Sequence, residues 1–546
     1  MDNKLISMLF AGMLLAPPQT LHAQYRSEVW HPDNGNGTYT NPVLYADYSD
    51  PDVVAVGDDF YLTASSFNCI PGLPILHSKD LVNWQIIGYA LQEQLPKALF
   101  NNPQHGKGVW APAIRHHNGE FYIYWGDPDH GIFMVKTADP RGSWEQPVCV
   151  IEGKGMIDPC PLWDDDGRCY LVNGWAGSRA GFNSVLTVRE LSADGTKAIG
   201  SPRIVFDGGE QNHTTEGPKL YKRNGCYWIM CPAGGVKQGW QLAMRSNNIY
   251  GPYEARKVMA QGSTNVNGPH QGAWVHTAQG EDWFLHFNDK GAYGRVVFLQ
   301  PVDWRSGWPV MGNDNDGDGC GEPYLTYRMP KSEQHLMVNP QESDEFNSTD
   351  LGLQWQWHAN YNELWGMPTN NGCLRLYTAD LEHPATATTD VVAYRSLWEA
   401  GNLLLQKLPA QDFTATAKMR FASKEDNQYG GIIMMGMDYQ ALVVRRVGEK
   451  FLLQQLYCKD ADQGGAETQK TLATFKPTAK DTIPGMLNVE CGINFGLDGK
   501  RYKDAGDVFA LRQGKWIGAK MGFVSERSNT KGNRGWIDAD WFRVSH

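Results

Sequence analysis

The stretch that decides the fold is Gly57-Asp58-Asp59-Phe60-Tyr61, a polar turn followed by an aromatic pair. Four more copies follow it, with cysteine in place of the first aromatic residue in one of them: Asn118-Gly119-Glu120-Phe121-Tyr122, Asp166-Gly167-Arg168-Cys169-Tyr170, Asn224-Gly225-Cys226-Tyr227-Trp228 and Gly280-Glu281-Asp282-Trp283-Phe284. Aligned on the last residue, the five copies are 61, 48, 58 and 56 residues apart. Periods of this size with hairpin turns indicate repeated β-units such as propeller blades. Five copies predict a five-bladed β-propeller.

A second pattern lies 11 to 14 residues before the last aromatic residue of each copy. The residues found there are each within two positions of a proline: Asp50, Trp110, Asp158, Glu216 and His270. Equivalent positions in propeller blades face the central axis, so we expect three carboxylates, a tryptophan and a histidine to converge there. The prolines stiffen the backbone and favour extended conformations for the residues before them.

Fixed carboxylates are suited to acid–base chemistry on a stable substrate. Hydrolysis of a glycosidic bond needs two carboxyl groups across the bond, and a third acidic neighbour can raise the pKa of the acid. A single Asp-Pro pair is more often a turn or a strand cap. Three acidic residues in register with a repeat are hard to explain as turns, and this favours an active site.

The chain continues for more than 200 residues after the repeat ends. Polar residues of mixed charge at 331–345 predict a linker. Longer alternating strands follow, for example Phe413 to Phe421 and Trp536 to Val544, and they predict a β-sandwich of the jelly-roll, concanavalin-like kind. We therefore predict an all-β chain with a propeller catalytic domain at 24–330 and a sandwich domain at 346–546.

The N-terminus has the pattern of an export signal. Lys4 precedes a largely apolar run from Leu5 to Leu15, and Leu21-His22-Ala23 offers a cleavage point before Gln24. This predicts a signal peptide at 1–23 and a periplasmic or secreted protein. The apolar run is too short to span a bilayer, and no other stretch is long enough. The net charge of −11 offers no basic surface, so nucleic acid is not an expected partner.

Five motifs occur in a characteristic order: Ser49-Asp50-Pro51-Asp52, Gly108-Val109-Trp110-Ala111-Pro112, Ile157-Asp158-Pro159, Glu216-Gly217-Pro218 and Gly268-Pro269-His270-Gln271-Gly272. Together they resemble family 43 of the glycoside hydrolases across the whole propeller. The C-terminal half is similar to the sandwich of the xylosidase-type branch of that family. Asp52 is a departure, since many relatives have Ser or Ala there, and strand alternation predicts that it points away from Asp50.

The resemblance implies a five-bladed propeller and an inverting, single-displacement mechanism. Asp50 would be the general base that activates water, and Glu216 the general acid that protonates the leaving oxygen. Asp158 would tune the pKa of Glu216 and orient it. Inversion requires the two working carboxyl groups to stand roughly 6.5–9.5 Å apart, which leaves room for the water molecule.

The resemblance also implies four substrate-binding residues: Phe67, Trp110, Arg295 and His270. Aromatic rings can stack on a sugar, and the guanidinium fork can hold hydroxyl groups. His270 would lie near a central water cluster or metal, so a structural calcium ion bound through water is an expectation, and no cofactor is required for the reaction. The acidic turn Asp314 to Asp318 begins like a calcium loop but lacks its final glutamate, and we predict a solvated hairpin turn.

The sequence therefore predicts an exo-acting glycoside hydrolase that releases terminal α-L-arabinofuranosyl or β-D-xylosyl residues from plant hemicellulose oligosaccharides. The variant Ser49-Asp50-Pro51-Asp52 resembles a branch rich in arabinofuranosidases. The alternatives are a non-catalytic carbohydrate-binding propeller, an endo-acting arabinanase or xylanase, and a retaining fructosidase-type enzyme with carboxyl groups about 5 Å apart. The expected partners are cell-wall oligosaccharides and polysaccharide side chains, and the oligomeric state stays open.

Overall fold

The computed structural model describes residues 25–380, 396–476, 486–495, 506–527 and 532–546. The predicted signal peptide, residues 1–23, lies outside these ranges. In the described ranges, no helix is long and apolar enough to cross a membrane. The α-helices of the described part of the chain are single turns, Lys97–Phe100 and Gly177–Ala180, and its 3-10 helices are Gly291–Tyr293, Leu397–Glu399 and Ala461–Gln463.

The first half of the chain forms five four-stranded antiparallel sheets, each built from four consecutive strands. Blade 1 consists of Asp52–Val56, Asp59–Thr63, Gly72–Ser78 and Gln85–Leu91. Blade 2 consists of Trp110–His117, Glu120–Asp127, Gly131–Thr137 and Val148–Glu152. Blade 3 consists of Met156–Trp163, Cys169–Trp175, Val185–Leu191 and Arg203–Asp207. Blade 4 consists of Lys219–Arg223, Cys226–Ala233, Trp240–Ser246 and Glu254–Ala260. Blade 5 consists of His270–His276, Asp282–Asp289, Arg295–Asp303 and Val310–Met311.

The repeated sequence motif is the hairpin that joins the first and second strands of each blade. In blade 1, for example, Gly57 and Asp58 lie between strands Asp52–Val56 and Asp59–Thr63. Each of the five contacts between neighbouring blades has its own buried apolar cluster, and the aromatic residues of the motif pack in or against these clusters. The motif therefore supplies both the turn and the packing between blades, and the predicted five-bladed propeller is confirmed.

The ends of the propeller are held together by pairing between its first residues and blade 5. Val43 and Leu44 both donate backbone hydrogen bonds to the Val297 carbonyl, at 2.8 and 3.3 Å. Further out, strand Thr38–Thr40 pairs with Thr326–Arg328, which follows the last blade. A closed ring of blades leaves few unpaired sheet edges.

The C-terminal half is a two-sheet sandwich. One sheet has the order Gln356–Trp357, Leu404–Lys407, Lys520–Arg527, Gln428–Met435, Tyr439–Val447, Lys450–Cys458 and Glu467–Phe475, and Ala379–Asp380 pairs in parallel with Lys520–Arg527. The other has the order Gly366–Pro368, Leu374–Tyr377, Trp536–Ser545, Phe413–Ala422 and Met486–Phe495. Their facing sides bury one apolar core, which includes Trp355, Phe421, Phe523 and Phe542. The predicted sandwich is confirmed.

The two halves are in direct contact. A backbone bridge joins Ile70 in the propeller half to Trp357, and the Asn68 amide donates to the His358 carbonyl at 2.7 Å. The buried Lys520 ammonium lies 3.1 Å from the Cys69 sulfur. The sandwich therefore packs beside blade 1, where its loops can reach the propeller mouth.

Candidate active site

The start of each blade contains one residue with a positive φ angle. These residues are Asp50 at 54°, Ala111 at 37°, Asp158 at 56°, Gly217 at 58° and Gln271 at 36°. Left-handed backbone is strained for residues other than glycine and is concentrated at functional sites. At Gly217 a Cβ atom would come within 2.7 Å of the Gln271 side chain, so this position needs glycine for space as well as for conformation.

The expectation of extended backbone before the prolines is wrong for Asp50 and Asp158. Both residues precede a proline and both have left-handed φ angles. The strand register also shifts between Ile157 and Cys160, as in a β-bulge. Bulges re-aim side chains beside active sites, and here the carboxylates are held in place by several hydrogen bonds that offset the strained backbone.

Asp50 is buried and its carboxylate is fixed on both oxygens. Oδ2 accepts hydrogen bonds from the Ser65 hydroxyl at 2.6 Å and from the Ser49 hydroxyl at 3.0 Å. Oδ1 accepts from Arg295 Nη1 at 2.9 Å, which makes a buried ion pair. The Ser65 hydroxyl also accepts from the Ala111 amide at 2.7 Å, so blade 2 helps to position the carboxylate of blade 1.

Arg295 is positioned from several sides. Its Nη1 donates to Asp50 and to the Ser49 hydroxyl, and the guanidinium carbon lies 4.7 Å from the centre of the Phe287 ring. Its backbone amide donates to Asp47 Oδ1 at 2.7 Å. This fixed fork leaves the arginine beside the general-base candidate, as the resemblance implied.

Asp158 and Glu216 form a second acidic group. Asp158 is buried, and its Oδ2 accepts from the Gly217 amide at 2.7 Å, directly after Glu216 in the chain. Burial and the negative charges of Glu216 and Asp50 together raise the pKa of Asp158 to about 8, against the Gly217 hydrogen bond. The electrostatic effect of both neighbours indicates that the three carboxyl groups lie close together.

Glu216 is the more accessible member of this pair, with its side chain 30% exposed. Its Oε1 lies 2.9 Å from His270 Nε2, and the imidazole itself is buried. His270 therefore contacts the general-acid candidate directly. Like charges disfavour full ionisation of two neighbouring carboxyl groups, and the raised pKa of Asp158 keeps that carboxyl group protonated close to neutral pH.

The rings of Phe67 and Trp110 lie 6.4 Å apart in an edge-to-face arrangement at 64°. Phe67 is buried, whereas Trp110 is partly exposed. The sequence reasoning missed a third ring, Trp516, which comes from the sandwich. It lies 6.2 Å from Trp110 and is 50% exposed.

Asp52 lies away from Asp50 and takes part in a buried charge network between blades. Its Oδ2 accepts from the Ile114 amide and from Arg115 Nη1, both at 2.7 Å, and Lys219 Nζ is 3.8 Å away. Lys219 in turn donates to the Pro112 carbonyl at 2.9 Å. The network ties the first strands of blades 1, 2 and 4 together beneath the carboxyl groups.

The surroundings of His270 do not fit a direct calcium site. Calcium is bound by oxygen atoms, whereas Nε2 of this imidazole contacts one oxygen of Glu216. In the described ranges, a cluster of three acidic ligand atoms within 4.8 Å occurs at Asp314, Asp316 and Asp318, where backbone amides of the turn bond to the carboxylates of Asp316 and Asp318. We therefore assign no step of the chemistry to a metal.

Two further residues beside the site were also missed by sequence reasoning. Ser65 donates to Asp50, and nothing in its spacing along the chain pointed to that bond. Asp47 accepts from the Arg295 amide and also from the Gly518 amide at 3.0 Å, which anchors the sandwich loop that carries Trp516. Contacts between distant segments leave no periodic signal in the sequence.

Comparison with known proteins agrees with this geometry. Residues 39–309 match the family described as "Glycosyl hydrolases family 43", and residues 343–545 match the "Beta xylosidase C-terminal Concanavalin A-like domain". A provisionally named beta-xylosidase of Xylanibacter ruminicola is 35% identical over 499 residues, which cover 90% of this chain and 87% of that protein. This chain belongs to family 43 of the glycosyl hydrolases.

Other members of family 43 extend the likeness over both domains. The non-reducing end alpha-L-arabinofuranosidase BoGH43B of Bacteroides ovatus is 28% identical, over 92% of this chain and 94% of that protein. The crystal structure of the family 43 protein BlXynB of Bacillus licheniformis superimposes with a TM-score of 0.76 at 26% identity, over 93% of this chain and 99% of that one. The prediction of a glycoside hydrolase is confirmed.

Proposed function

We propose that this glycoside hydrolase is exo-acting and inverting, and that it releases terminal α-L-arabinofuranosyl or β-D-xylosyl residues from plant hemicellulose oligosaccharides. The observation that carries the proposal is that the carboxyl groups of Asp50 and Glu216 have different surroundings. Asp50 is fixed by Arg295 and two hydroxyl groups, whereas Glu216 is partly exposed and lies beside His270 and the protonated Asp158. One group is thus arranged to accept a proton and the other to donate one.

In the proposed reaction, a water molecule attacks the anomeric carbon and transfers a proton to Asp50. The glycosidic carbon–oxygen bond breaks, and Glu216 donates its proton to the leaving oxygen. Asp158 remains buried and keeps Glu216 in place through the Gly217 amide. Ser49, Ser65 and Arg295 hold Asp50 in the orientation that this proton transfer requires.

The exo mode is supported by the sandwich loop. The Trp516 ring lies 6.2 Å from the Trp110 ring, so the sandwich adds an aromatic side chain next to the one from blade 2, and such rings suit stacking on one terminal sugar. An endo-acting enzyme needs an open groove that passes a polymer on both sides. The names of the two relatives point to the two candidate sugars, xylose and arabinofuranose.

The proposed mechanism uses side chains alone, so it requires no cofactor. Removal of divalent metals with EDTA should leave the rate unchanged. Loss of activity that returns with calcium would instead support the structural calcium ion expected near His270. Export to the periplasm or the medium, where cell-wall oligosaccharides are found, also belongs to the proposal and rests on residues 1–23.

Initial rates on aryl α-L-arabinofuranoside and aryl β-D-xylopyranoside test the activity. The Asp50→Asn variant is the matched control, because it keeps the shape of the side chain but cannot accept the proton from water. Clear turnover of one substrate that the variant loses identifies the preferred sugar. Turnover of neither substrate, together with binding of both sugars, would favour the carbohydrate-binding alternative.

The anomeric form of the first product tests the inverting mechanism. Proton NMR during the first minutes of xyloside hydrolysis should show α-xylose from the β-linked substrate, before mutarotation. Initial β-xylose would contradict the proposal and support a retaining mechanism, in which Asp50 would act as a nucleophile.

A further inference from the structure

Lys219 is a buried lysine that the proposed mechanism does not use. It begins the first strand of blade 4, Lys219–Arg223, and lies three residues after Glu216. Its side chain is 0% exposed. Lysine is almost never fully buried unless it is paired, because an ammonium group loses its hydration on burial. The contacts of this ammonium group must therefore offset that loss.

The Lys219 ammonium group connects blade 4 to blades 1 and 2. Its Nζ donates to the Pro112 carbonyl of blade 2 at 2.9 Å, and Asp52 Oδ2 of blade 1 is 3.8 Å away. The blades contact one another in chain order around the ring, so blade 3 separates blade 2 from blade 4. The bond to Pro112 therefore crosses the central part of the propeller.

The Pro112 end of this bond leads to the general-base candidate. Pro112 follows Ala111, whose amide donates to the Ser65 hydroxyl at 2.7 Å. The Ser65 hydroxyl in turn donates to Asp50 Oδ2 at 2.6 Å. Lys219 thus joins the segment that carries the acid candidate to a segment that helps to hold the base candidate.

The charges beside Lys219 do not cancel. Asp52 Oδ2 also accepts from Arg115 Nη1 at 2.7 Å, so one carboxylate faces two cations. Arg115 Nη2 contacts the Cys160 sulfur at 2.8 Å, but burial raises the pKa of that thiol, which stays neutral. One positive charge therefore remains in this buried network.

The remaining positive charge acts on the acidic centre. Burial and then the charges of Glu216 and Asp50 raise the pKa of Asp158, whereas Lys219 acts on it in the opposite direction. The ammonium group is therefore close enough to the acidic centre to compensate part of its negative charge. Both its covalent link to Glu216 and its charge connect Lys219 to the acid side of the site.

We propose that Lys219 is a positioning residue, which holds the Glu216 segment at its distance from Asp50. The inference rests on the proposed function, because this distance matters only if the two carboxyl groups act as acid and base across one bond. An inverting enzyme needs about 6.5–9.5 Å between them. Asp50 has its own anchors in Ser49, Ser65 and Arg295, so loss of the Lys219 contact should move Glu216 and leave Asp50 in place.

The test is Lys219→Met, with kcat/KM measured on two aryl pentosides, one with a good and one with a poor leaving group. A good leaving group departs without a proton, so only the poor one depends on the position of Glu216. We expect a loss of about 10- to 100-fold on the poor leaving group and of less than about threefold on the good one. Asp52 keeps its ion pair with Arg115 in this variant, so no buried charge is left without a partner and the variant should fold.

Lys520→Met is the matched control. Lys520 is also buried and also joins two parts of the molecule, but it lies at the contact between the domains. Any loss of folded protein lowers kcat/KM by the same factor on both substrates, so we expect equal losses for this control. Equal losses for Lys219→Met on the two substrates would overturn the proposal, because they would show a general structural role.

The wild-type protein separates this inference from the proposed function. Turnover by the wild type, followed by equal losses in Lys219→Met, would overturn the role of Lys219 alone. No turnover of either pentoside by the wild type would overturn the proposed function and this role with it. Because the buried Lys219 does not touch the substrate, the loss should appear in kcat, and a loss confined to KM would also overturn the proposal.

Discussion

Asp158 combines a buried carboxyl group, a strained backbone and two acidic neighbours. Its side chain accepts one hydrogen bond from the Gly217 amide, which does not offset the loss of water and the repulsion from Glu216. The folded protein therefore holds Asp158 in its protonated form over a pH range in which the unfolded chain ionises it. This difference makes the residue a source of pH-dependent stability.

The stability of the Asp158→Asn variant, relative to that of the wild-type protein, should increase as the pH rises from about 4 to about 8. Because burial raises the folded pKa of Asp158 to about 8, the stability it contributes is present below its unfolded pKa and is lost as pH rises through the folded value. The amide does not titrate, so the difference in melting temperature, variant minus wild type, should increase over this window. A constant or decreasing difference in the same buffers would contradict the raised pKa.

Seven candidate site residues were predicted from the sequence. The structure brings five of them together around one acidic centre: Asp50, Asp158, Glu216, His270 and Arg295. The other two, Phe67 and Trp110, form a pair of aromatic rings. The blade repeat made this prediction possible, because equivalent positions in the blades all face the central axis. The left-handed backbone of Asp50 was not predictable in the same way. It depends on bonds from Ser65 and Arg295, which lie in other parts of the chain.

At the scale of elements, the hairpin between the first two strands of each blade was the most predictable feature. A polar turn followed by aromatic residues is a local signal, and each of the five copies became such a hairpin. Strands Glu467–Phe475 and Lys520–Arg527 in the sandwich were not predicted. The first has mostly polar and exposed residues, and the second is buried on both faces, so neither shows the alternation typical of a half-buried strand.

The loop that carries Trp516 is anchored at both ends. Arg512 bonds to Asp438 at 2.7 Å and to Asp460 and Asp462 at 3.0 Å, all within the sandwich. Beyond the tryptophan, the Gly518 amide bonds to Asp47 in the propeller half. Trp516 itself has a φ angle of 66°, and its ring is half exposed beside Trp110. Strained backbone with an exposed ring indicates a functional position.

Trp516→Ala should lower kcat/KM on aryl glycosides about tenfold, because it removes one aromatic side of the pocket. The exposed ring contributes little to the core, so the melting temperature should stay close to the wild-type value. Steady-state kinetics and thermal unfolding provide the two measurements. Trp516→Phe is the matched control and should keep most of the activity. Wild-type kinetics of the Trp516→Ala variant would show that this loop is not part of the proposed pocket.

At the scale of the whole molecule, the two domains share a buried polar contact. Lys520 is buried in the sandwich and donates to Gln356 at 2.8 Å and to the Cys69 sulfur of the propeller half at 3.1 Å. Together with the Ile70–Trp357 bridge, this contact makes separate unfolding of either domain unfavourable. Exposing half of such a network leaves unsatisfied groups on both sides.

Differential scanning calorimetry of the wild-type protein should therefore show a single unfolding transition. Lys520→Met removes the ammonium group but keeps the length of the side chain, and it leaves the Gln356 oxygen with the longer contact from Lys407 at 3.4 Å. We expect this variant to lose about 1–3 kcal/mol of stability and to unfold in a broader transition or in two. Two well-separated transitions in the wild type would show that the domains are energetically independent.

The central claim is that Asp50 and Glu216 act on opposite sides of one glycosidic bond, as base and acid. The most direct measurement compares Glu216→Gln and Asp50→Asn on aryl pentosides with good and poor leaving groups. A good leaving group needs no proton, so Glu216→Gln should retain most activity on it and lose about 10²–10⁴-fold on a poor one, whereas Asp50→Asn should lose activity equally on both. Equal losses for Glu216→Gln on both substrates would contradict its role as the acid.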